Sequence, residues 1–323
     1  MGGAFGIRFR ARGGWACGSG AAAKENPPDR GYLGSVSSSA RIETFRQGLR
    51  ELGYVEGKNI VIKWRHHEGK LDRLPALAAE LVGLKVDIII TAGAPAARAA
   101  KEATVTIPIV MTQVGDPVGS GFVASLARPG GNITGLSSLA PELSGKRLEL
   151  LKEIVPRLSR VAVFGTSTSP DNAQSLKEVE LAAGALKVKF QYLDVLSPKD
   201  IETAFRAAVK GRADAVLMMV QGFLVGANQT QVLELAVKSR LPVIYTGRAI
   251  VEAGGLMTYG VNNTDLFRRA ATFVDKILKG RTPADLPVEQ PMKFEFIVNL
   301  KAAKQIGLTI PPNVLVRADR VIR

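Results

Sequence analysis

The chain has 323 residues, 46% of them hydrophobic and 22% charged, a composition typical of a globular protein large enough for two domains. No apolar run approaches the ~20 residues that a membrane-spanning helix needs, and the lone cysteine, Cys17, excludes an internal disulfide. The formal net charge is +14, but the Lys and Arg residues are scattered among acidic ones, so the sequence does not predict nucleic-acid binding.

The first 28 residues are rich in glycine, alanine and arginine and have no periodicity. Arg8, Arg10 and Arg12 followed by small residues are loosely similar to an export signal, but the apolar centre of about 7–15 residues is missing. We therefore expect an irregular leader or arm over residues 1–28, in which no export signal is clear. Cys17 follows Gly-Trp-Ala, a poor lipid-attachment motif, so the sequence leaves lipid anchoring open.

From Arg30 onwards, β-rich runs alternate with helical periodicity. The first half predicts, in order, GYLGSV, helix 42–52, NIVIKW, helix 74–81, VDIII, helix PAARAAKEA and IPIVMT. The second half predicts RVAVFG, helix 172–185, VKFQYL, a helix opened by Ser197-Pro198-Lys199-Asp200, ADAVLMM, helix NQTQVLELAVKS and LPVIYT. LFRRAATFVDKILKG follows as a helix, and residues 286–307 supply a last strand and helix. Such alternation indicates parallel sheets covered by helices.

The two halves repeat one plan. KVDIIITAGAP (85–95) corresponds to RADAVLMMVQG (212–222), and TIPIVMTQVGD (106–116) corresponds to RLPVIYTGRAI (240–250). YLGSVSSS (32–39) likewise corresponds to VFGTSTSP (163–170). We therefore predict an α/β protein of two similar, doubly wound, parallel-sheet lobes joined by a three-segment hinge. The expected boundaries are 29–135 plus 258–288 for lobe 1 and 136–257 plus 289–323 for lobe 2, with Gly130–Gly131 and Gly254–Gly255 near the crossings.

The geometry of such sheets predicts the position of the site. Ligands of open parallel sheets bind beyond the carboxyl ends of the strands. The loops at those ends are 35–39, 92–95 and 112–117 in one half and 165–171, 221–227 and 246–250 in the other. If the lobes face each other, these six loops line one cleft.

The cleft loops contain few groups suited to catalysis. No histidine or cysteine lies in them, and the sequence has no nucleophile-elbow, phosphate-loop or zinc-protease motif. His66 and His67 would point to opposite faces of a strand, so no metal site is predicted, and no cofactor is expected. Hydroxyls, glycines and helix N-termini instead suit a carboxylate or another small anion, with Arg248 as a further partner. An enzyme that uses Asp116 or Asp171 as acid and base stays an alternative.

Several longer stretches resemble a known protein family. They include FRQGLRELGYVEGKNIVIKWR, GDPVGSGFVASLARPGGNITGLS, GKRLELLKEIVP and the run from GGLMTYGVNNTDLF to IGLTIPP. Over about residues 30–323 the chain resembles the periplasmic substrate-binding proteins of ABC transporters, in the tryptophan/tyrosine transport-type branch. The resemblance implies the type I periplasmic-binding fold and a non-enzymatic protein. Such a protein captures a small carboxylated solute, with aromatic amino acids as one candidate, and delivers it to an inner-membrane ABC permease.

The resemblance also implies a periplasmic location, or a lipid anchor at the outer face of the cell membrane, and we expect a monomer. It matches the loops at Ser37–Ser38, Ala92–Ala96 and Asp116–Pro117 to the family's first-lobe pocket, whereas Thr166–Ser169 and QGFLVG depart from the family pattern. A ligand-sensing regulatory domain is the other alternative, although no helix-turn-helix precedes the fold. The predicted ligand-binding residues are Ser37, Ser38, Thr91, Ala92, Gly93, Pro95, Ala96, Asp116, Pro117, Thr166, Ser167, Ser169, Gln221, Gly222, Tyr245, Arg248 and Tyr259.

Overall fold

We describe the protein from a computed structural model, which defines the placement of residues 3–8, 39–68, 70–220 and 222–323. The strands of the first sheet are β1 (Gly3–Arg8), β2 (Val61–Trp64), β3 (Ile88–Ala92), β4 (Ile109–Val114) and β5 (Ile133–Ser137). Their spatial order is β2-β1-β3-β4-β5. The pairs β3–β4 and β4–β5 are parallel, whereas β1 runs antiparallel to both of its neighbours.

The second sheet is larger and also mostly parallel. Its strands are β6 (Arg160–Gly165), β7 (Lys189–Asp194), β8 (Ala215–Met218), β9 (Val243–Tyr245), β10 (Met257–Val261), β11 (Phe294–Asn299) and β12 (Arg320–Ile322). They lie in the order β12-β11-β10-β9-β8-β6-β7, and β10–β11 is the antiparallel pair. The predicted repeat is confirmed where both copies are described, because β3 and β4 pair in parallel as β8 and β9 do.

Helices cover both sheets. They are α1 (Ser39–Glu51), α2 (Leu74–Gly83), α3 (Ala94–Ala103), α4 (Ala140–Ile154), α5 (Asn172–Leu186), α6 (Pro198–Lys210), α7 (Gly222–Ala227), α8 (Gln229–Ser239), α9 (Arg248–Glu252), α10 (Asn263–Leu278), α11 (Leu300–Gln305) and α12 (Pro312–Arg317). The predicted start of α6 is confirmed, since Ser197 and Asp200 form a reciprocal capping box and Pro198 occupies the first turn.

Strand side chains alternate between two buried faces, which is why the strands read as continuous apolar runs. Ile88 and Ile90 pack with α1 and α10, whereas Ile89 packs with α2 and α3 on the opposite face. In the second sheet, Val161 and Val163 face the α4–α5 side, and Ala162 and Phe164 face α6 and α8. Each sheet is thus doubly wound, as the sequence predicted.

The first sheet differs from expectation in the strand that the N-terminal residues contribute. Residues 1–28 were expected to be irregular, but Gly3–Arg8 forms β1 and pairs with β2 on one side and β3 on the other. An extended six-residue segment can pair its backbone groups with both neighbours, whatever the composition around it. The predicted strand GYLGSV lies outside the described residues.

The chain passes between the two sheets three times. The first crossing, at Ser138–Leu139, follows β5, and the second, at Asn262, separates β10 from α10, which packs on α1. The third crossing leads from Glu289 to β11. Glu289 still belongs to the first sheet's side, because it forms an isolated β-bridge with Leu136 of β5. The first and second crossings lie a few residues beyond the expected boundaries, the second because Thr258–Val261 complete a strand of the second sheet. The division into two lobes that move separately stays a prediction.

The expected hinge glycines do not lie at the crossings. Gly130–Gly131 precede β5 and Gly254–Gly255 precede β10, whereas the chain crosses after each strand has ended. At ~3.3 Å per residue, a five-residue strand separates each pair from its crossing. Gly255 has a packing role instead, because a Cβ there would lie 2.8 Å from Tyr245 Cε2.

Candidate functional site

A cavity of about 250 Å³ lies where the carboxyl ends of the two sheets face each other. Its wall comes from the chain that follows β3, β4 and β5 on one side and β6, β8 and β9 on the other, as the sheet geometry predicted. The lining residues are Arg41, Leu71, Gly93, Ala94, Pro95, Gln113, Ser138, Ala140, Leu143, Arg147, Ser169, Asp171, Met218, Met219, Val220, Gly222, Val225, Gly226, Gln229, Tyr245, Thr246, Gly247, Ala249, Ile250, Val261 and Asn263.

Arg147 supplies a buried positive charge to this wall. It is 3% exposed, and its Nε donates to the carbonyl of Tyr259 at 2.7 Å. Within the described part of the chain, its two terminal nitrogens make no hydrogen bond and no carboxylate forms an ion pair with it. Burial lowers the pKa of Arg147 to about 10, so the guanidinium is still charged at neutral pH. A buried unpaired charge costs free energy until an anion meets it.

Helix periodicity explains why this arginine points inward. Leu143, Arg147 and Leu151 are spaced four residues apart on α4, and all three belong to its buried face. Gly260 lies alongside on β10, where an added Cβ would come within 3.7 Å of the guanidinium. The helix and the strand together hold Arg147 at the cavity wall.

Asp171 brings a carboxylate to the same cavity at the start of α5. Its Oδ1 accepts a hydrogen bond of 2.6 Å from Ser169 Oγ. Its Oδ2 accepts no hydrogen bond from any residue that the structure describes. Asp171 and Arg147 both line the cavity, yet no ion pair joins them.

Gln113 reaches the cavity through an irregularity of β4. The register between β4 and β5 shifts between Met111 and Val114, and Gln113 has a φ of 58°, in the left-handed region. Such bulges redirect a side chain that would otherwise follow the strand alternation. Gln113 Nε2 donates to Asn263 Oδ1 at 2.5 Å, which leaves the buried Oε1 without a partner in the described chain.

Most of the remaining wall is apolar and comes from the second sheet's side. Leu143, Met218, Val220 and Ile250 line it together with Tyr245, which is almost fully buried. Burial raises the pKa of Tyr245 above its ordinary value, so its hydroxyl is neutral at physiological pH. A surface of this kind suits an apolar or aromatic group, with methionine sulfur as an adaptable contact.

The N-terminus of α3 opens on the cavity but offers few amide donors. Gly93, Ala94 and Pro95 all line the wall. The N–H of Gly93 already donates to Thr112 O at 2.8 Å, and Pro95 has no N–H. The helix dipole favours an anion there, but the buried guanidinium in the wall, Arg147, is a stronger donor than this turn.

Two further findings bound the chemistry. The described residues contain no group of three or more His, Cys, Asp or Glu side chains arranged to hold a metal ion. In the same part of the chain, no helix is long and apolar enough to span a membrane. What the cavity offers a ligand is thus the set already described: two opposite charges, amides and an apolar surface.

Residues 35–322 match the family described as ABC transporter substrate binding protein. The chain belongs to this family. Proteins of the family bind a small-molecule solute, work with an ABC permease and act outside the cytoplasm. The fold is the type I periplasmic-binding arrangement, as the sequence resemblance implied.

Three relatives illustrate the similarity. A tyrosine-binding protein of Clostridioides difficile is 28% identical over 82% of this chain and 75% of its own length. An ABC domain from Streptococcus pneumonia, solved in complex with L-Trp, is 26% identical, with a TM-score of 0.82 over 89% of this chain and 97% of the other. The ligand-free, open structure of a substrate binding protein with adhesive properties from Clostridium difficile is also 26% identical, with a TM-score of 0.64 over 88% and 94%.

Within this substrate-binding fold, the structure brings part of the predicted ligand set to the cavity. Gly93, Pro95, Ser169, Gly222 and Tyr245 line the wall. Ser37, Ser38 and Gln221 lie outside the described residues. Those that do not line it are Thr91, Ala92, Ala96, Asp116, Pro117, Thr166, Ser167, Arg248 and Tyr259.

Local partners explain most of these differences. Asp116 Oδ1 accepts from the backbone N–H of Gly119 at 2.8 Å and caps a turn. Ser167 donates to Asp194, the last residue of the neighbouring strand β7, and Thr166 donates to the carbonyl of Val195.

Of the other candidates outside the cavity, two have side-chain contacts around the second sheet and three are buried in the first. Arg248 pairs with Glu252 at 2.9 Å and with Glu295 at 3.6 Å on the surface. The ring of Tyr259 stacks on Phe294, so only its backbone carbonyl reaches Arg147. Thr91, Ala92 and Ala96 are buried in β3 and α3.

Sequence reasoning missed Arg147 because its segment, GKRLELLKEIVPRLSR, mixes charges in the manner of a solvent-exposed face. The signal was the four-residue spacing from Leu143 and Leu151, which places one arginine on the apolar side. Gln113 and Asp171 stood in the predicted cleft loops but were not chosen as ligand residues. Only the bulge in β4 and the start of α5 direct them inward.

Proposed function

We propose that this protein captures a small carboxylated solute, an α-amino acid with an apolar and preferably aromatic side chain, for import through an ABC permease. One observation carries the proposal: the cavity contains a buried guanidinium that has no carboxylate partner among the residues that the structure describes. Arginine has five N–H donors in a planar fork that matches a carboxylate. A ligand carboxylate would offset the free-energy cost of burying Arg147. A solute without a negative charge would leave that charge unpaired and should therefore bind weakly.

The size and lining of the cavity support an amino acid. Its volume of about 250 Å³ lies below the ~300 Å³ at the lower end of ordinary ligand sites, so the ligand is small. Met218, Met219 and Tyr245 offer a polarisable and flat surface for an aromatic side chain. The named relatives, a tyrosine-binding protein and a domain solved with L-Trp, support the same class.

The arrangement of the lobes supports a closed, ligand-competent form. The L-Trp complex and the open, ligand-free structure share the same identity with this chain, 26%, but their TM-scores are 0.82 and 0.64. A rotation of one lobe about a hinge lowers the overall match although each lobe keeps its fold. We infer that the lobes lie close to the ligand-bound arrangement here.

The remaining parts of the proposal concern location and assembly, and the family, whose members act outside the cytoplasm, supports the location. The protein acts as a monomer in the periplasm, or is lipid-anchored at the outer face of the cell membrane. It delivers its solute without binding nucleic acid.

The protein performs no chemistry on its ligand. Asp116 caps a turn and does not line the cavity, so the two carboxylates considered as acid and base do not flank a common space. If turnover of any bound solute is found and is lost in both Asp116→Asn and Asp171→Asn, the enzymatic alternative replaces this part of the proposal.

Calorimetry of the full chain tests the ligand class. We expect one or more of L-tryptophan, L-tyrosine and L-phenylalanine to bind, with a negative heat-capacity change and a raised melting temperature. Ribose and inositol, which carry no carboxylate, serve as controls and should leave the melting temperature unchanged. Binding of either polyol, together with no response to any amino acid or organic acid, would contradict the proposal.

A further inference from the structure

The cavity contains two groups of opposite charge that do not neutralise each other. Arg147 has no carboxylate partner within the described residues, and Asp171 has no cationic one, although both line the same space. The cost of an unpaired charge is greatest for the buried Arg147, and Asp171, which is half-buried, stands apart from it in the same wall. A ligand that carries both charges on neighbouring atoms satisfies both groups at once.

We propose that Asp171 is the residue that selects for the ammonium group of the ligand. This inference rests on the proposed function and deepens it, because it separates α-amino acids from carboxylic acids of the same shape. Ser169 already donates to Oδ1 and so orients the carboxylate, which leaves Oδ2 to accept from an ammonium N–H. A hydroxyl held in this way positions Asp171 without neutralising it.

The same carboxylate approaches the opposite wall at Gly115, which follows β4. An added Cβ at Gly115 would overlap Asp171 Oδ2 and lie 3.2 Å from Asp171 Cβ and 3.1 Å from Ala140 Cβ. Ala140 and Asp171 begin helices that pack with the second sheet, whereas Gly115 belongs to the first. The bare Cα therefore lets the two walls meet at the selecting carboxylate. Gly115 does not have a positive φ, so its small size rather than its backbone conformation matters here.

The test compares ligands that differ only in the amino group. Each of L-tryptophan, L-tyrosine and L-phenylalanine is titrated beside its deaminated analogue, such as indole-3-propionate for L-tryptophan, into wild type and Asp171→Asn. The asparagine keeps the shape and can still accept from Ser169. We expect the affinity of the tightest-binding amino acid to fall about 30-fold or more. The affinity of its analogue should stay within about threefold. Asp116→Asn is the matched control and should keep the wild-type ratio.

The outcomes separate this inference from the proposed function. If the amino acid and its analogue bind equally well to wild type, or if Asp171→Asn leaves their ratio unchanged, Asp171 does not select the ammonium, while the proposed carboxylate site stands. If neither an amino acid nor an analogue binds, both proposals fall together.

Gly115→Ala tests the approach of the two walls. We expect this variant to weaken the analogue about tenfold and the amino acid more than that, because the added methyl group holds the walls apart and also displaces the carboxylate of Asp171. Wild-type affinity for both ligands would overturn the role of Gly115.

Discussion

The two sides of the cavity differ in what they offer a ligand. The second sheet's side supplies the buried guanidinium of Arg147, the carboxylate of Asp171 and most of the apolar surface. From the first sheet's side come a helix N-terminus with few free amides, the amides of Gln113 and Asn263, and Arg41 at the start of α1. The fold is repeated, but the recognition groups are not shared equally between its copies.

This asymmetry suggests an order of events. A solute that meets the second lobe finds both charged partners on one surface, whereas the first lobe adds mainly a cover. Two of the segments that connect the lobes are joined by hydrogen bonds. Asn262 donates from its side chain to Glu295 at 2.7 Å and from its backbone to Lys293 O at 3.0 Å. We therefore expect binding energy to reside mainly in the second lobe, and closure by the first to slow release.

The largest effect should come from Arg147→Gln. Loss of the buried charge should weaken amino-acid binding by about 2–5 kcal/mol, measured by calorimetry. The melting temperature of the ligand-free protein should change little, because the variant also removes an uncompensated buried charge. Arg248→Gln, at an exposed arginine outside the cavity, is the matched control and should bind normally. Equal losses in both variants would mean that net charge, not this site, drives binding.

The pH dependence of binding is the next largest effect. A deaminated analogue has no ammonium to titrate, so the charge on Arg147 controls its affinity. Because burial lowers the pKa of Arg147 to about 10, affinity should be constant from about pH 6, where the ligand carboxylate is ionised, to about pH 9. Above pH 10 it should fall by about tenfold per pH unit, as the guanidinium loses its proton. The same pH profile in Arg147→Gln as in wild type would show that the carboxylate is bound elsewhere.

A smaller effect is expected on the first lobe's wall. Gln113→Asn retains a residue that tolerates the left-handed backbone but shortens the reach of the amide. We expect affinity to fall by about 1 kcal/mol, the usual contribution of one hydrogen bond. A loss as large as that of Arg147→Gln would remove the asymmetry between the two walls.

The smallest effect on binding should come from Tyr54→Phe, because Tyr54 lies in the core of the first lobe and does not line the cavity. Tyr54 donates to Asp275 at 2.9 Å, so its loss should lower the free energy of unfolding by about 1 kcal/mol without changing affinity. Burial and Asp275 raise the pKa of Tyr54 to about 12. This contribution is therefore complete below pH 10 and lost as pH rises towards 12, a loss that the variant should lack in denaturant titrations.

The fold could be predicted from sequence because its strands carry redundant signals. Ile88, Ile89 and Ile90 are all buried, on alternate faces of the sheet, and the capping box at the start of α6 is visible in the sequence. β5 was not predicted, since Gly135 interrupts its pattern and the segment before it is rich in turn residues. That glycine is required, because a Cβ there would meet the backbone of Met111.

The site was only partly predictable, for physical reasons. Parallel-sheet geometry predicts which loops face the cleft, and Gly93, Ser169 and Tyr245 are indeed in its wall. Arg147 comes instead from the body of a helix, which no rule about strand ends includes. Hydroxyls such as Ser167 looked suitable for a ligand, but a neighbouring carboxylate, Asp194, accepts from it.

The most direct test of the account is a crystal structure of the protein with its tightest-binding amino acid. The account predicts that the ligand carboxylate lies within about 3 Å of the terminal nitrogens of Arg147, with its ammonium at Asp171. A ligand whose carboxylate is held only by first-lobe amides at α3, with Arg147 still unpaired, would contradict it.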